Sequence, residues 1–394
     1  MVRASAFGTR GEAESTSTVV RSGLHGWFAG RRPVIFQAER KESFGTVLLS
    51  PISPRVRAGF HGWFAARAAD AHFDEVPAAR GDDEGYHISV LPEETLRWME
   101  AGPGKYLIDG TLGGGGHSEA FLKTGARVLG VDRDPEAIAY ASRRLAPFGD
   151  RFRVWQGNFA DLCEDPEIRD GERADGLLLD LGVSSHQLDA AERGFSFMRE
   201  GPLDMRMGPA TERTAADIVN EWPESELVRL LREFGEEPKA RRIAAALVRQ
   251  RIEKPFSTTG ELADCIEKAV GRSGRTHPAT RTFQAIRMEV NDELGSLRRA
   301  LEASIHLLKP GGRLLVITFH SLEDRMVKQF MRDRSKEWID QPHWPEPRRN
   351  PDRVFRLPQT KAIAPTPEEI RLNPRARSSK LRVAELLDPT ELKP

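Results

Sequence analysis

Four short stretches of this 394-residue chain carry residue types and spacings that could do chemistry. The first is Asp109-Gly-Thr-Leu-Gly-Gly-Gly-Gly-His117, a glycine loop between an apolar run and a helical pattern. Glycines let the backbone approach a ligand closely, and the N-terminus of the following helix favours a negative group. The second is Asp132, 17 residues past Gly115 at the end of the next apolar run. A carboxylate there can accept both hydroxyls of a ribose. The third is Asn158-Phe159, which could offer a polar edge and an apolar face to a nucleobase. The fourth is Asp180, which closes Gly176-Leu-Leu-Leu-Asp180. Together they specify a nucleoside-containing cofactor. Phe159 could equally be core packing, and Asp180 a turn cap.

Departures from known fingerprints narrow the cofactor. A pyrophosphate-binding loop needs Gly-x-Gly-x-x-Gly/Ala; counting from Gly113, the last position is Ser118. No Walker lysine follows the loop. S-adenosylmethionine has no phosphate and needs only a home for its amino-acid end, which His117 could help to form.

Open α/β sheets bind ligands beyond the carboxyl ends of their strands. Strands are expected at 105–109, 127–132, 152–155 and 176–180, with helices over 118–124 and 135–145. Strand, loop and helix in repetition give βαβ units and a mostly parallel sheet. From about 189 to 287 the patterns are helical. Leu227, Leu230, Leu231 and Phe234 share one face behind Pro223, and Thr258-Thr-Gly-Glu261 has capping-box spacing. The sheet resumes with a helix at 292–308 and strands at 313–319 and 380–384, and the Pro- and Arg-rich 339–378 is expected to be a loop. The expected organisation is a core at 85–188 and 288–388, with a helical insert at 189–287. Residues 1–84 follow no sustained period and carry Arg21-Ser-Gly-Leu-His-Gly-Trp-Phe-Ala-Gly30, repeated 36 residues later with seven of ten positions identical. Two copies are too few for a solenoid. This segment reads as a disordered extension or translated upstream sequence, with a pair of aromatic interaction motifs as the alternative.

Composition excludes several classes. Lys+Arg and Asp+Glu are equal at 59 each, which excludes a uniformly basic coat protein. Cys163 and Cys265 are the only cysteines, so neither a disulfide framework nor a cysteine zinc site is expected; lone thiols suit a cytoplasmic protein. No metal-ligand cluster is evident. No apolar run is long enough to cross a membrane, and no secretory signal is evident. The neutral total conceals basic segments at 238–290, net +6, and 325–382, net +8, against a remainder of −14. A nucleic-acid substrate requires such positive surface.

Several motifs resemble one family: Asp109 to Ser118, Leu179-Asp-Leu-Gly-Val-Ser-Ser-His-Gln-Leu-Asp189, Arg193-Gly-Phe-Ser-Phe197, Gly201-Pro-Leu-Asp-Met-Arg-Met207, His277-Pro-Ala-Thr-Arg-Thr-Phe-Gln284 and Phe319-His-Ser-Leu-Glu-Asp324. In order and without large gaps, about His87 to Leu387 is similar to the bacterial ribosomal RNA small subunit methyltransferase H family (RsmH, formerly MraW). The resemblance implies a Rossmann-like class I S-adenosylmethionine-dependent methyltransferase fold with an inserted all-helical domain. It implies methyl transfer to N4 of a decoding-centre cytidine in 16S rRNA, with the small ribosomal subunit as partner. Carried over by motif, the cofactor residues are Gly115, Gly116, His117, Asp132, Phe159, Asp180 and Gln187. Gln187 comes from the resemblance alone. His186 departs from the family's usual proline, and residues 1–85 depart from its usual start.

For the reaction, Asp180 or the carbonyls after it are the candidate acceptors from the amine, and His320 is a second candidate with a structural hydrogen bond as its alternative. Lys239, Arg241, Arg242, Arg249 and Arg251 of the insert are candidate RNA contacts. The competing functions are a ribosome-assembly factor that keeps the fold without catalysis, and a nucleotide-dependent oxidoreductase; the second fails at Ser118. Oligomeric state, a homodimer included, is left open.

Overall fold

Parallel strands covered on both faces read as continuous apolar runs, because each side chain finds a buried face whichever way it points. The computed structural model describes residues 89–272, 274 and 276–392; the aromatic repeat and the extension that contains it lie outside the described residues. Four apolar runs form β1 (Tyr106–Asp109), β2 (Arg127–Asp132), β3 (Phe152–Gln156) and β4 (Ala174–Asp180). With β5 (Leu308–Thr318) they pair in parallel in the order β3-β2-β1-β4-β5. A two-residue ribbon, β6 (Trp338–Ile339) with β7 (Arg348–Arg349), precedes β8 (Phe355–Ile363) and β9 (Lys380–Leu386). The latter two complete a seven-stranded sheet, with β9 antiparallel to both β5 and β8.

Alternate residues supply two cores. Leu107, Val128, Leu178, Leu315 and Ile317 face α1 (Pro92–Met99), α2 (Gly116–Lys123) and α3 (Pro135–Leu145), from which Met99, Phe121 and Leu145 enter the cluster. Ile108, Val131, Leu177, Leu179 and Val316 face the other way, against Leu297, Leu301 and Leu307 of α11 (Glu293–Leu307) and Val327 of α12 (Ser321–Asp333). Short helices α4 (Pro166–Arg169) and α5 (Ser185–Asp189) flank β4.

A third apolar cluster belongs to α6 (Ala215–Glu221), α7 (Glu224–Glu233), α8 (Ala240–Glu253), α9 (Thr259–Val270) and α10 (Thr280–Val290). Leu227, Leu230 and Leu231 are buried there, with Ile243, Leu247, Ile266 and Phe283. Thr258 and Glu261 form the expected capping box on α9. Val290 still belongs to this cluster, and Asn291-Asp292 turns the chain into α11.

The expected loop at 339–378 is corrected: it contains β7, β8 and α13 (Pro367–Leu372). β8 reads as a loop from sequence alone because it is an edge strand. Pro358 is tolerated where no neighbour needs its N–H, and Arg356 and Lys361 suit an exposed edge. Among the described residues, no helix is long and apolar enough to cross a membrane.

Candidate active site

The carboxyl ends of β1, β2, β4 and β5 converge on one cavity of about 1140 Å³, open mouth included. Its floor is the glycine loop. Asp109 is almost fully buried and holds the loop in place: Oδ2 accepts from Ser118 Oγ at 2.7 Å and Oδ1 from the Thr111 amide at 3.3 Å. Gly113 and Gly115 take left-handed φ values of 49° and 77°. A Cβ on Gly116 would sit 2.1 Å from Ser89 Oγ, so glycine there lets Ser89 pack against the start of α2 at the cavity wall.

Asp132 ends β2 at the cavity wall. Its Oδ2 accepts from the Gly113 amide at 2.8 Å and its Oδ1 from the Asp134 amide at 2.9 Å. Burial nevertheless pushes its carboxyl up to about 6, because two amide donors only partly offset desolvation and the Asp134 and Asp109 carboxylates add to it. Gly157 and Phe159 follow β3 and line the cavity.

Asp180 ends β4 with its amide donating to Thr111 Oγ1 at 2.6 Å. Its carboxylate faces His117: His117 Nε2 lies 3.6 Å from Asp180 Oδ2. Both side chains are almost wholly buried, and neither His117 Nε2 nor Asp180 Oδ1 has a hydrogen-bond partner. Burial opposes charge on His117, but the Asp180 and Asp109 carboxylates more than offset it, and its imidazole is held above the ordinary histidine value.

Gly116, His117, Asp132, Phe159, Asp180 and Gln187 therefore all line one cavity. Gly115 does not; its Cα turns onto Leu145 and Ala141 of α3. Gln187 sits there with its amide spent inside the protein, Oε1 accepting from the Ser184 amide and Nε2 donating to Asp134 Oδ2 at 3.0 Å. Asn158 is absent from the lining: its Oδ1 caps the turn at Ala160, and its Nδ2 donates to Ser296 Oγ at 2.9 Å. His320 is also outside the lining. It caps α12 in a box with Glu323, its Nε2 lying 3.0 Å from Glu323 Oε1.

Other lining residues went unassigned from sequence. Met207 and Phe319 lie in family motifs that give them no role, whereas Glu293 and Ser296 carry no local signal. Glu293, His320 and Glu323 bring ligand-type atoms within 4.8 Å of one another, a cluster that spacing did not reveal. Those oxygens are already engaged. Arg287 grips Glu293 through two hydrogen bonds of 2.7 and 2.8 Å, and Glu323 Oε2 accepts from the Phe319 amide at 2.9 Å.

Of the candidate RNA residues, Arg241, Arg242 and Arg249 are exposed on α8, and Arg242 and Arg249 lie two turns apart on one face. Lys239 is exposed but donates to the Val270 carbonyl at 3.0 Å. Arg251 is half-buried and donates to the Val219 carbonyl at 2.9 Å.

The sheet order, with its antiparallel β9, the glycine loop after β1 and the acids ending β2 and β4 define a Rossmann-like class I S-adenosylmethionine-dependent methyltransferase. The residues fit that cofactor: Gly113, Gly114 and Gly116 line the cavity without side chains, and the Asp132 carboxylate on its wall suits ribose hydroxyls. Within that class, the chain belongs to the MraW methylase family, which matches residues 84–387. It is 50% identical over 301 residues, 76% of this chain and 94% of the relative, to the ribosomal RNA small subunit methyltransferase H of Caulobacter vibrioides (strain NA1000 / CB15N). It is 48% identical over 304 residues to the protein of the same name from Carboxydothermus hydrogenoformans, covering 76% of this chain and 98% of that one.

Proposed function

We propose that this chain methylates N4 of a decoding-centre cytidine in 16S rRNA of the small ribosomal subunit, using S-adenosylmethionine, in the cytoplasm. Family membership supports methylation of small-subunit rRNA. The observation that carries the site assignment is Asp180 Oδ1, a buried carboxylate oxygen without a partner at the end of β4.

The cofactor, when bound, supplies an electrophilic methyl group. The protein must do the rest. The N4 amine of cytosine is a weak nucleophile because its lone pair is delocalised into the ring. An acceptor that draws on an amine hydrogen localises that pair, and fixed placement removes the entropic cost of alignment. Asp180 is the acceptor, Asp132 holds the ribose hydroxyls, and Phe159 packs beside the adenine. Gly116 and His117 shape the amino-acid end. The base must leave its stack to reach the cavity. The insert 189–287 is the substrate-recognition unit, and Arg241, Arg242 and Arg249 supply phosphate contacts.

The test is Asp180→Asn. Turnover on small subunits lacking the modification should fall by about a hundredfold or more, with S-adenosylmethionine affinity changed far less. Equal losses in both would make Asp180 a binding residue only. A non-catalytic assembly factor would bind small subunits and cofactor and transfer no label.

A further inference from the structure

Two polar atoms in this cavity are buried without partners, and they belong to side chains that face each other. His117 Nε2 and Asp180 Oδ1 make no hydrogen bond, while Asp180 Oδ2 lies 3.6 Å from Nε2. An unsatisfied buried polar atom costs about 1–3 kcal/mol, so two of them in one wall call for an explanation.

The surroundings orient the pair. His117 lies in the first turn of α2, just behind the Gly113 to Gly116 loop, and Asp180 ends the neighbouring strand β4. The strand end that carries the carboxylate is fixed by the Asp180 amide, which donates to Thr111 Oγ1. Its two oxygens are then inequivalent: Oδ2 is on the imidazole side and Oδ1 is left open. At 3.6 Å the contact is longer than a hydrogen bond, and catalytic contacts commonly tighten only when the substrate complex forms.

We propose that His117 is a positioning residue for the methyl transfer: its Nε2–H holds Asp180 Oδ2, so that Oδ1 alone is presented to the target amine. This rests on the assignment of Asp180 as acceptor. In the step it supports, the N4–carbon bond forms as the sulfur–carbon bond breaks. The bonding pair stays on sulfur, and the amine proton passes to Asp180 Oδ1. His117 touches none of the reacting atoms.

A consequence follows for pH. The charged groups acting on His117 are Asp180 from β4, Asp109 from β1 and Glu369 from α13, all acidic. They favour the imidazolium. Once protonated, His117 still holds Oδ2 but withdraws electron density from the acceptor, so turnover at saturating cofactor falls as pH drops through the raised titration of this imidazole.

The experiment compares wild type, His117→Gln and His117→Leu, each checked for folding by thermal melt, and each also in an Asp180→Asn background. Gln can place an amide N–H near Oδ2, whereas Leu fills similar space without a donor. At saturating S-adenosylmethionine, H117L is expected to lower kcat by about a hundredfold, over and above any rise in cofactor Kd, and H117Q to recover all but about tenfold of it. H117Q should also lose this acid limb. In the Asp180→Asn background, H117L should have no further effect. Unchanged kcat in H117L, a loss confined to cofactor Kd, or full additivity with Asp180→Asn overturns the proposal. If H117L fails to fold, the pH profile and cycle of H117Q decide in its place. Failure of the wild type to methylate small subunits would instead remove the underlying functional reading.

Discussion

Asp132 offers the sharpest quantitative handle on the cofactor site. Its carboxyl is pushed up to about 6 in the free protein, chiefly by burial, against an ordinary value of 3.8. A carboxylate accepts both ribose hydroxyls, and a protonated carboxyl does so less well. At pH 7.5 almost every molecule carries the charge; at pH 5 about one in ten does. The Kd for S-adenosylmethionine should therefore rise by about tenfold between those two pH values, or about 1.4 kcal/mol. The stability of the free protein runs the other way. Because the folded-state value lies above the ordinary one, this group's contribution is fully present below about pH 4 and is lost as pH rises through about 6. Isothermal titration calorimetry across this range, on wild type and Asp132→Asn, gives the answer. D132N should bind more weakly at pH 7.5 and show a flat profile. A wild-type profile that is flat would show that the Asp132 charge does not govern cofactor binding, and a slope that survives in D132N would assign the titration elsewhere.

Three further outcomes are expected. Gly116→Ala places a Cβ against Ser89 Oγ and should weaken cofactor binding by about tenfold, with the double variant Gly116→Ala/Ser89→Gly recovering most of it in the same titration. Asn291→Ala removes a buried amide that accepts from the Met207 amide at 2.8 Å and donates to the Met205 carbonyl at 2.7 Å. Denaturant unfolding should show a loss of about 2–3 kcal/mol. Arg242→Ala/Arg249→Ala should raise KM for small subunits by about tenfold, leave kcat near wild type, and reduce the salt slope of binding by about 2.

How much of this was legible in the sequence depends on where each signal lived. β1 to β4 were readable because strands buried on both faces are continuous apolar runs ending in chemically informative residues. The insert was readable because helical spacing and the Thr258 capping box are local. β8 was not, since an edge strand carrying Pro358 and alternate charged residues looks like a loop until β9 is seen beside it. Asn158 suggests a polar edge for a nucleobase, yet its side chain is spent on Ala160 and on Ser296, 138 residues away. Glu293 and Ser296 reach the cavity only because α11 packs across the sheet. His117 and Asp180 were each singled out by motif; that they face each other follows from the pairing of β1 with β4, which no local pattern encodes.

The proposed function requires this chain to move a methyl group from S-adenosylmethionine to N4 of a cytidine in small-subunit rRNA. The most direct measurement incubates the purified protein and methyl-labelled S-adenosylmethionine with small subunits from cells lacking the activity. The 16S rRNA is then digested to nucleosides and analysed by mass spectrometry. The expected result is label in N4-methylated cytidine at one decoding-centre position, strongly reduced with D180N. Folded protein that transfers no label to 16S rRNA, or that places it on another base or atom, would contradict the account.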